Sequence, residues 1–300
     1  MARLQVLLAA LCFGTTGTAQ ALGPDGIDPA AVGAVRIACG GALLVLFALV
    51  VRRGRGRGRG GRGPGPRGAV LAGALAVAAY QASFFAAVDV TGVAVGTIVA
   101  LGSAPAITGA LEWLLHGRRP PGRWAAATAL ACAGVVLLAL AGGSEAGISP
   151  LGVGLAVIAG GSYATYTLAS KRLLEDGHAP ESVMAALFGL GAVALAPVLL
   201  LAETGPLTSP GGLALVLFLG IVPTAVAYVL FARGLRALQA SEAATITLLE
   251  PVTAAALGVF VLGERVTGAG LVGAALVLSA LGLLAMRPAR RGAVLVPEPA

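Results

Sequence analysis

Glu250 and Arg36 offer the most chemistry in this sequence, because each interrupts a long apolar run. Glu250 falls midway along the run 239–262, too far from either end for its carboxylate to reach water. A charge at the centre of a bilayer costs about 2.5–3.5 kcal/mol on insertion scales, so such a group must protonate, pair or face water. Burial disfavours the charged form of a carboxyl. That makes Glu250 the candidate proton carrier, with a structural acid locked in an ion pair as the plain alternative. Arg36 lies about seven residues into its own run, roughly 10 Å along a helix. It reads either as a side chain snorkelling to the interface or as an anchor for a substrate carboxylate or a partner acid.

Pro251 follows Glu250 directly, and Pro105 holds a comparable mid-run position. A proline removes an N–H and leaves the carbonyl four residues back without its helical donor, here those of Leu101 and Thr247. Both runs are therefore expected to be broken or kinked, with these segments facing a central cavity. Tyr80, Gln81, Phe84 and Phe85 form i, i+4 pairs on one face. Rings at that spacing ordinarily pack in a core. The amide of Gln81 needs partners that lipid cannot supply, so Tyr80 and Gln81 are expected to line the cavity. Thr15, Thr16, Ser162, Tyr163 and Tyr166 mark the first and sixth runs as polar-lined, although hydroxyls also bond their own backbone. Glu112, beside Trp113 and close to Arg118 and Arg119, reads as half of an interfacial ion pair. Gly92-x3-Gly96 permits a close helix approach.

Rival chemistries find little support. The histidines, His116 and His178, form no HExxH pair, and no two aspartates lie inside apolar runs as a catalytic dyad. The sole lysine, Lys171, follows Ala169-Ser170, which is not the start of a P-loop Gly-Lys-Ser/Thr. Cys12, Cys39 and Cys132 stand apart in apolar runs, with no CxxC spacing and no even count for a disulfide framework. An enzyme, an ATP-driven pump, a cofactor and a metal site are all unexpected. A channel and a non-transporting scaffold remain as alternatives.

The elements that must position these residues are membrane helices. The chain is 58% hydrophobic and 11% charged, with mean hydropathy +0.94, whereas a soluble chain carries about 25% charged residues. A spanning helix needs about 17–25 mostly apolar residues. Ten stretches meet that need, at 4–22, 30–51, 69–88, 92–115, 124–141, 151–170, 182–202, 211–232, 239–262 and 267–286. Arg3 ahead of an apolar run, and Ala19-Gln20-Ala21 after it, resemble a cleaved signal peptide. The length of the run and the repeat described below favour a retained helix.

With the N-terminus inside, every Lys and Arg except Arg36 and Arg265 falls on the cytoplasmic side, while the opposite loops carry Asp25, Asp28, Asp89, Glu145, Glu203 and Glu264. This positive-inside bias puts both termini in the cytoplasm. The Arg-Gly run 52–63 resembles segments that bind RNA or anionic lipid. It sits where orientation requires charge, so the topological reading is preferred and no nucleic-acid partner is expected.

Shifted by 146 residues, the second half answers the first: Pro105 falls on Pro251, Gly117 on Gly263, Arg119 on Arg265 and Gly122 on Gly268. Five spans per copy is an odd number, so the second copy enters the membrane inverted, a plan common among secondary transporters. The chain is expected to divide into a first repeat over 1–145, an inverted second repeat over 146–287 and a cytoplasmic tail over 288–300.

These features resemble the EamA-type members of the drug/metabolite transporter superfamily. The segment from Tyr80 to Ala87, followed by Ala104-Pro105, is similar to that family's first copy. Leu249-Glu250-Pro251 leading to Leu262-Gly263-Glu264-Arg265 is similar to the second, and Arg36 sits where such proteins often carry an arginine. The first copy departs at Gly117-Arg118-Arg119, where the second has Gly-Glu-Arg, so no role is carried over to Glu264. The resemblance implies an all-α protein of ten transmembrane helices in the cytoplasmic membrane. It also implies transport, often export, of small metabolites such as amino acids; protons enter as the candidate coupling ion through Glu250. Oligomeric state stays open between monomer and homodimer.

Overall fold

The structure is a computed structural model that describes residues 1–54, 66–117, 119–141, 149–202, 204–265 and 267–286. Among them there are helices and no strands, as expected where lipid leaves each backbone group to find its partner within the protein. The Arg-Gly run from Arg55 onward and the tail after Met286 lie outside the described residues.

The first copy comprises α1 (Ala2–Ala21), α2 (Pro29–Gly54), α3 (Arg67–Thr91), α4 (Val93–His116) and α5 (Gly122–Ala141). The second begins with α6 (Pro150–Glu175) and continues with α7 (Pro180–Ala194) and α8 (Ala196–Leu201). Then follow α9 (Pro210–Gly220), a π-helical turn (Ile221–Val226) and α10 (Ala227–Leu235), which together form one span, and α11 (Ala240–Ile246) with α12 (Leu249–Leu262), which form the next. The last helix is α13 (Gly268–Ala285). Among the described residues, nine of these spans are long and apolar enough to cross a membrane, and the short apolar helix α7 is the remaining crossing. The break between α7 and α8 precedes Pro197, which has no N–H to offer the carbonyl of Val193.

The repeat is visible in the helix ends. Gly117 and Gly263, matched by the 146-residue shift, both end their helices in the left-handed conformation, at φ +66° and +72°, a geometry glycine adopts without strain. Gly122 and Gly268 then open α5 and α13.

Packing obeys the same exchange. α3 lies on α6, and its counterpart span α9–α10 lies on α1; α4 lies on α6, and its counterpart α11–α12 lies on α1. α5 pairs with α13 and α2 with α7, each helix meeting its own image. Gly134 and Gly273 let the α5 and α13 backbones touch, since a Cβ on either would stand 2.6–2.7 Å from the other's carbonyl oxygen. Large apolar side chains such as Leu46, Leu115, Leu200 and Phe260 point outward, whereas Gln81, Glu112, Thr128 and Thr245 are buried. This is the polarity of a protein whose solvent is lipid.

Side-chain contacts gather one set of helix ends on a single face. Arg3, at the start of α1, pairs with Glu242 of α11 at 2.7 Å and reaches the Ala285 carbonyl at the end of α13 at 3.3 Å. Arg123, at the start of α5, donates to the carbonyl of Met286. Lys171, near the end of α6, donates to the carbonyls of Leu235 (3.1 Å), the last residue of α10, and Arg236 (3.3 Å), just after it. On the other face the backbone N–H of Ser149, ahead of α6, donates to Thr91 Oγ1 at the end of α3. The alternation read from the charges is the alternation in the fold.

Candidate functional site

Three of the polar residues singled out in the sequence converge where the two copies meet. Arg36 enters from α2, and its Nη2 donates to Gln81 Oε1 of α3 at 3.1 Å. Gln81 Nε2 in turn donates to the Gly33 carbonyl at 3.2 Å. Gln81 is therefore not a free cavity-lining amide. At 3% exposure it is a brace, satisfied at both ends, that aims the guanidinium. Gly33 is glycine for a local reason: a Cβ there would collide with the ring of Phe85. Arg36 Nε is buried and has no partner. Native structures rarely leave a buried donor unmatched, and one that persists calls for an explanation.

Glu250, on the first turn of α12, faces the same space. Its charge and that of Arg36 act on each other, and both act on the hydroxyls of Tyr80 and Tyr228. Arg36, Tyr80, Tyr228 and Glu250 each retain accessible surface although helices surround them. Groups so placed share one region enclosed between helices of both copies.

Aromatic rings form its wall. The chain has four tyrosines, and all four meet here: Tyr80 lies 6.4 Å from Tyr163, which lies 5.0 Å from Tyr166, which lies 6.1 Å from Tyr228 between ring centroids. Phe84 stacks on Tyr80 at 5.7 Å, and Phe188 and Phe13 lie against Tyr228 at 4.1 and 4.9 Å. Offset and edge-on aromatic pairs prefer separations of about 4.5–7 Å.

Two helix breaks aim these groups. In the ninth span α11 stops at Ile246, and the Thr247 carbonyl, deprived of a donor by Pro251, accepts from the Glu250 N–H at 2.9 Å. Thr247 Oγ1 also shares a hydrogen bond of 2.9 Å with Tyr163 Oη, tying the break to α6. In the eighth span Pro223 cannot donate to the Leu219 carbonyl, and Thr224 Oγ1 does so instead at 2.7 Å. The backbone widens there into the π turn that ends just ahead of Tyr228, a distortion common at functional sites. Pro105 behaves differently. α4 runs unbroken through it, and the stretch just before it packs on α6, where Gly160 lies close to the Ala100 carbonyl and Ser103. Of the matched pair Pro105 and Pro251, only Pro251 accompanies a broken span.

Among the described residues no group of three or more His, Cys, Asp or Glu is placed to hold a metal. The arrangement is suited to binding: one cation with a spare donor, one acid and an aromatic wall, on helices contributed by both copies. A family model described as the EamA-like transporter family matches this chain twice, over residues 1–140 and 150–286.

The chain belongs to the EamA-like transporter family. That family is part of the drug/metabolite transporter superfamily. As an EamA-like transporter it is 41% identical over 261 residues to "Uncharacterized transporter YwfM" of Bacillus subtilis (strain 168), covering 87% of this chain and 86% of that protein. It is 33% identical over 113 residues to an "Uncharacterized transporter" of Archaeoglobus fulgidus, covering 38% and 40%. A solved crystal structure shares the fold with a TM-score of 0.79 at 24% identity, over 94% of this chain and 97% of the other.

Several members of the site were not apparent from the EamA-like sequence. Tyr228 lies in an otherwise apolar run, and its rarity as one of four tyrosines is the signal that marks it. The spacing to Pro251 points to the Thr247 carbonyl alone, whereas its hydroxyl is equally engaged. Glu112, expected in an interfacial ion pair, caps another helix, accepting from the backbone N–H groups of Ala240 and Ser241 at 3.1 Å each, and Arg118 lies outside the described residues.

Proposed function

We propose that this membrane transporter is a secondary active carrier that exports small, amino-acid-like metabolites by alternating access, driven by protons. The observation that carries this reading is the unpartnered Nε of Arg36 in a protein-enclosed space that also holds Glu250. A guanidinium presents donors in a fixed fork matched to a carboxylate. Gln81 occupies one donor and holds the fork in place, which leaves Nε for a ligand. The aromatic wall offers apolar area to the remainder of a small molecule. Glu250 is the group to exchange a proton, since an intramembrane acid in a cavity defaults to a role of this kind.

The site lies between a first copy over 1–145 and a second over 146–287, where inverted repeats place substrate near the bilayer midplane. Its membrane is the cytoplasmic membrane, with both termini inside. Reconstituted vesicles test the reading. Vesicles preloaded with one of a panel of unlabelled small amino acids and monocarboxylates should accumulate the matching labelled compound by counterflow, and Arg36→Gln should reduce that counterflow at least tenfold. Flux of panel compounds equal in empty and protein-containing vesicles, or unchanged by Arg36→Gln, would overturn it.

A further inference from the structure

An alternating-access carrier must close each face in turn, and the two copies of this chain are unequally equipped to do so. The half-helix α11 is fastened by side chains of the first copy. Glu112, near the end of α4 and 3% exposed, accepts from the N–H of Ala240 (3.1 Å), the N–H of Ser241 (3.1 Å) and Ser241 Oγ (2.6 Å). Trp124 Nε1 donates to the Ser241 carbonyl at 3.0 Å, Thr128 and Thr245 share a hydrogen bond of 2.8 Å, and Arg3 pairs with Glu242. A carboxylate at a helix start satisfies N–H groups that have no intrahelical acceptor and meets the positive end of the dipole. Hydrogen bonds to an ionised acceptor are about twice as strong as neutral ones. Six of the seven α11 residues are buried, whereas only Gly258 is buried in α12. The hinge between them is the break at Thr247–Leu248.

Among the described residues the second copy shows no such fastening on the opposite face. The 146-residue shift carries Glu112 onto Gly258 and the start of α11 onto the start of α4. There Gly92 precedes α4 without a side-chain cap. Among the described residues α4 packs on α11, and α12 makes no comparable packing on α4. Among the described residues the fourth and ninth spans thus meet on one face and stand apart on the other.

We propose that Glu112 is a one-sided latch: it holds α11 against α4 and α5, biases the carrier toward the state closed on the face where α1 begins and α13 ends, and must release for that face to open. The meaning of the latch rests on the transport reading above, but its test needs no substrate. Full-length protein with Cys12, Cys39 and Cys132 replaced by alanine, and a single reporter Ala244→Cys on α11, is placed in nanodiscs, where both faces meet solvent. A membrane-impermeant maleimide then reports how often α11 leaves its seat. Glu112→Gln should raise the labelling rate at least fivefold. Glu112→Asp, which keeps the charge on a shorter arm, should fall between Gln and the parent. A second reporter, Ala159→Cys in the α4–α6 packing, separates release from unfolding and should stay unlabelled. If it labels in Glu112→Gln, Ser241→Ala replaces that variant, removing the 2.6 Å hydrogen bond while the backbone bonds remain, and should raise Ala244→Cys labelling about twofold. Labelling of Ala244→Cys that stays at the parental rate in the folded variants would overturn the latch.

Discussion

Three features of Glu250 bear on whether it is a coupling acid or a structural one. It has no interface within reach, its backbone is loosened by the break at Thr247, and the positive charge it faces is already bound to Gln81. If Glu250 served only to neutralise Arg36, glutamine would leave a lone buried cation, and breaking such a pair typically costs about 3–5 kcal/mol of stability. If it carries a proton, glutamine resembles its protonated form and traps the carrier in one charge state. In reconstituted vesicles Glu250→Gln should therefore abolish accumulation driven by a pH gradient while counterflow exchange persists within about threefold. Unchanged gradient-driven accumulation would dismiss the coupling role, and a destabilised protein with both activities lost would indicate the structural one. Glu250 and Arg36 were legible in the sequence because a charge in an apolar run is conspicuous at any position. Tyr228 and Thr247 were not, since a tyrosine or threonine is unremarkable in a membrane helix until the fold shows which residues share its space.

Glycines decide how closely the elements approach the site. The 146-residue shift that matches Pro105 to Pro251 also carries Gly14 of α1 onto Gly160 of α6, and each lies against the ninth or fourth span of the other copy. A Cβ at Gly14 would stand 2.8 Å from the Glu250 carbonyl oxygen, and one at Gly160 would stand 3.0 Å from that of Ala100. Backbone cannot move aside as a flexible side chain does, and overpacking typically costs about 1–3 kcal/mol. Gly14→Val and Gly160→Val should each lower the thermal midpoint of the detergent-solubilised protein by several degrees. Gly17→Ala, with nothing within 4 Å, should leave it level or raise it, because alanine favours a helix by about 1 kcal/mol over glycine. Equal midpoints for all three variants would show that α1 and α6 are not held at these contacts. Hydropathy was enough to find the spans but not their breaks. Pro105 and Pro251 look alike as letters, yet only the second accompanies a broken helix, and the π turn at Pro223 depends on Thr224 meeting the carbonyl that the proline abandons.

At the scale of the whole molecule the distribution of charge and the folding of the chain tell the same story. Arg3, Arg123 and Lys171 do more than populate one side: each hydrogen-bonds a carbonyl at or just beyond the end of another helix, Arg3 and Arg123 at α13 and Lys171 at α10. Cations are favoured at helix C-termini by the macrodipole, so these contacts fasten the face that the positive-inside rule assigns to the cytoplasm. The proposed latch at Glu112 lies on that same face, where α1 begins and α13 ends. The orientation has a direct test in intact cells that express protein free of its native cysteines. Gly68, exposed near the start of α3, and Gly205, exposed between α8 and α9, both have open space around them, so cysteine is tolerated at either. A membrane-impermeant maleimide should label Gly205→Cys in intact cells and Gly68→Cys only after permeabilisation. The reverse pattern would invert the molecule in the membrane and make its latched face the outer one. Labelling of both positions in intact cells would mean that an even number of crossings separates the two loops, and the five-plus-five inverted plan would fall with it.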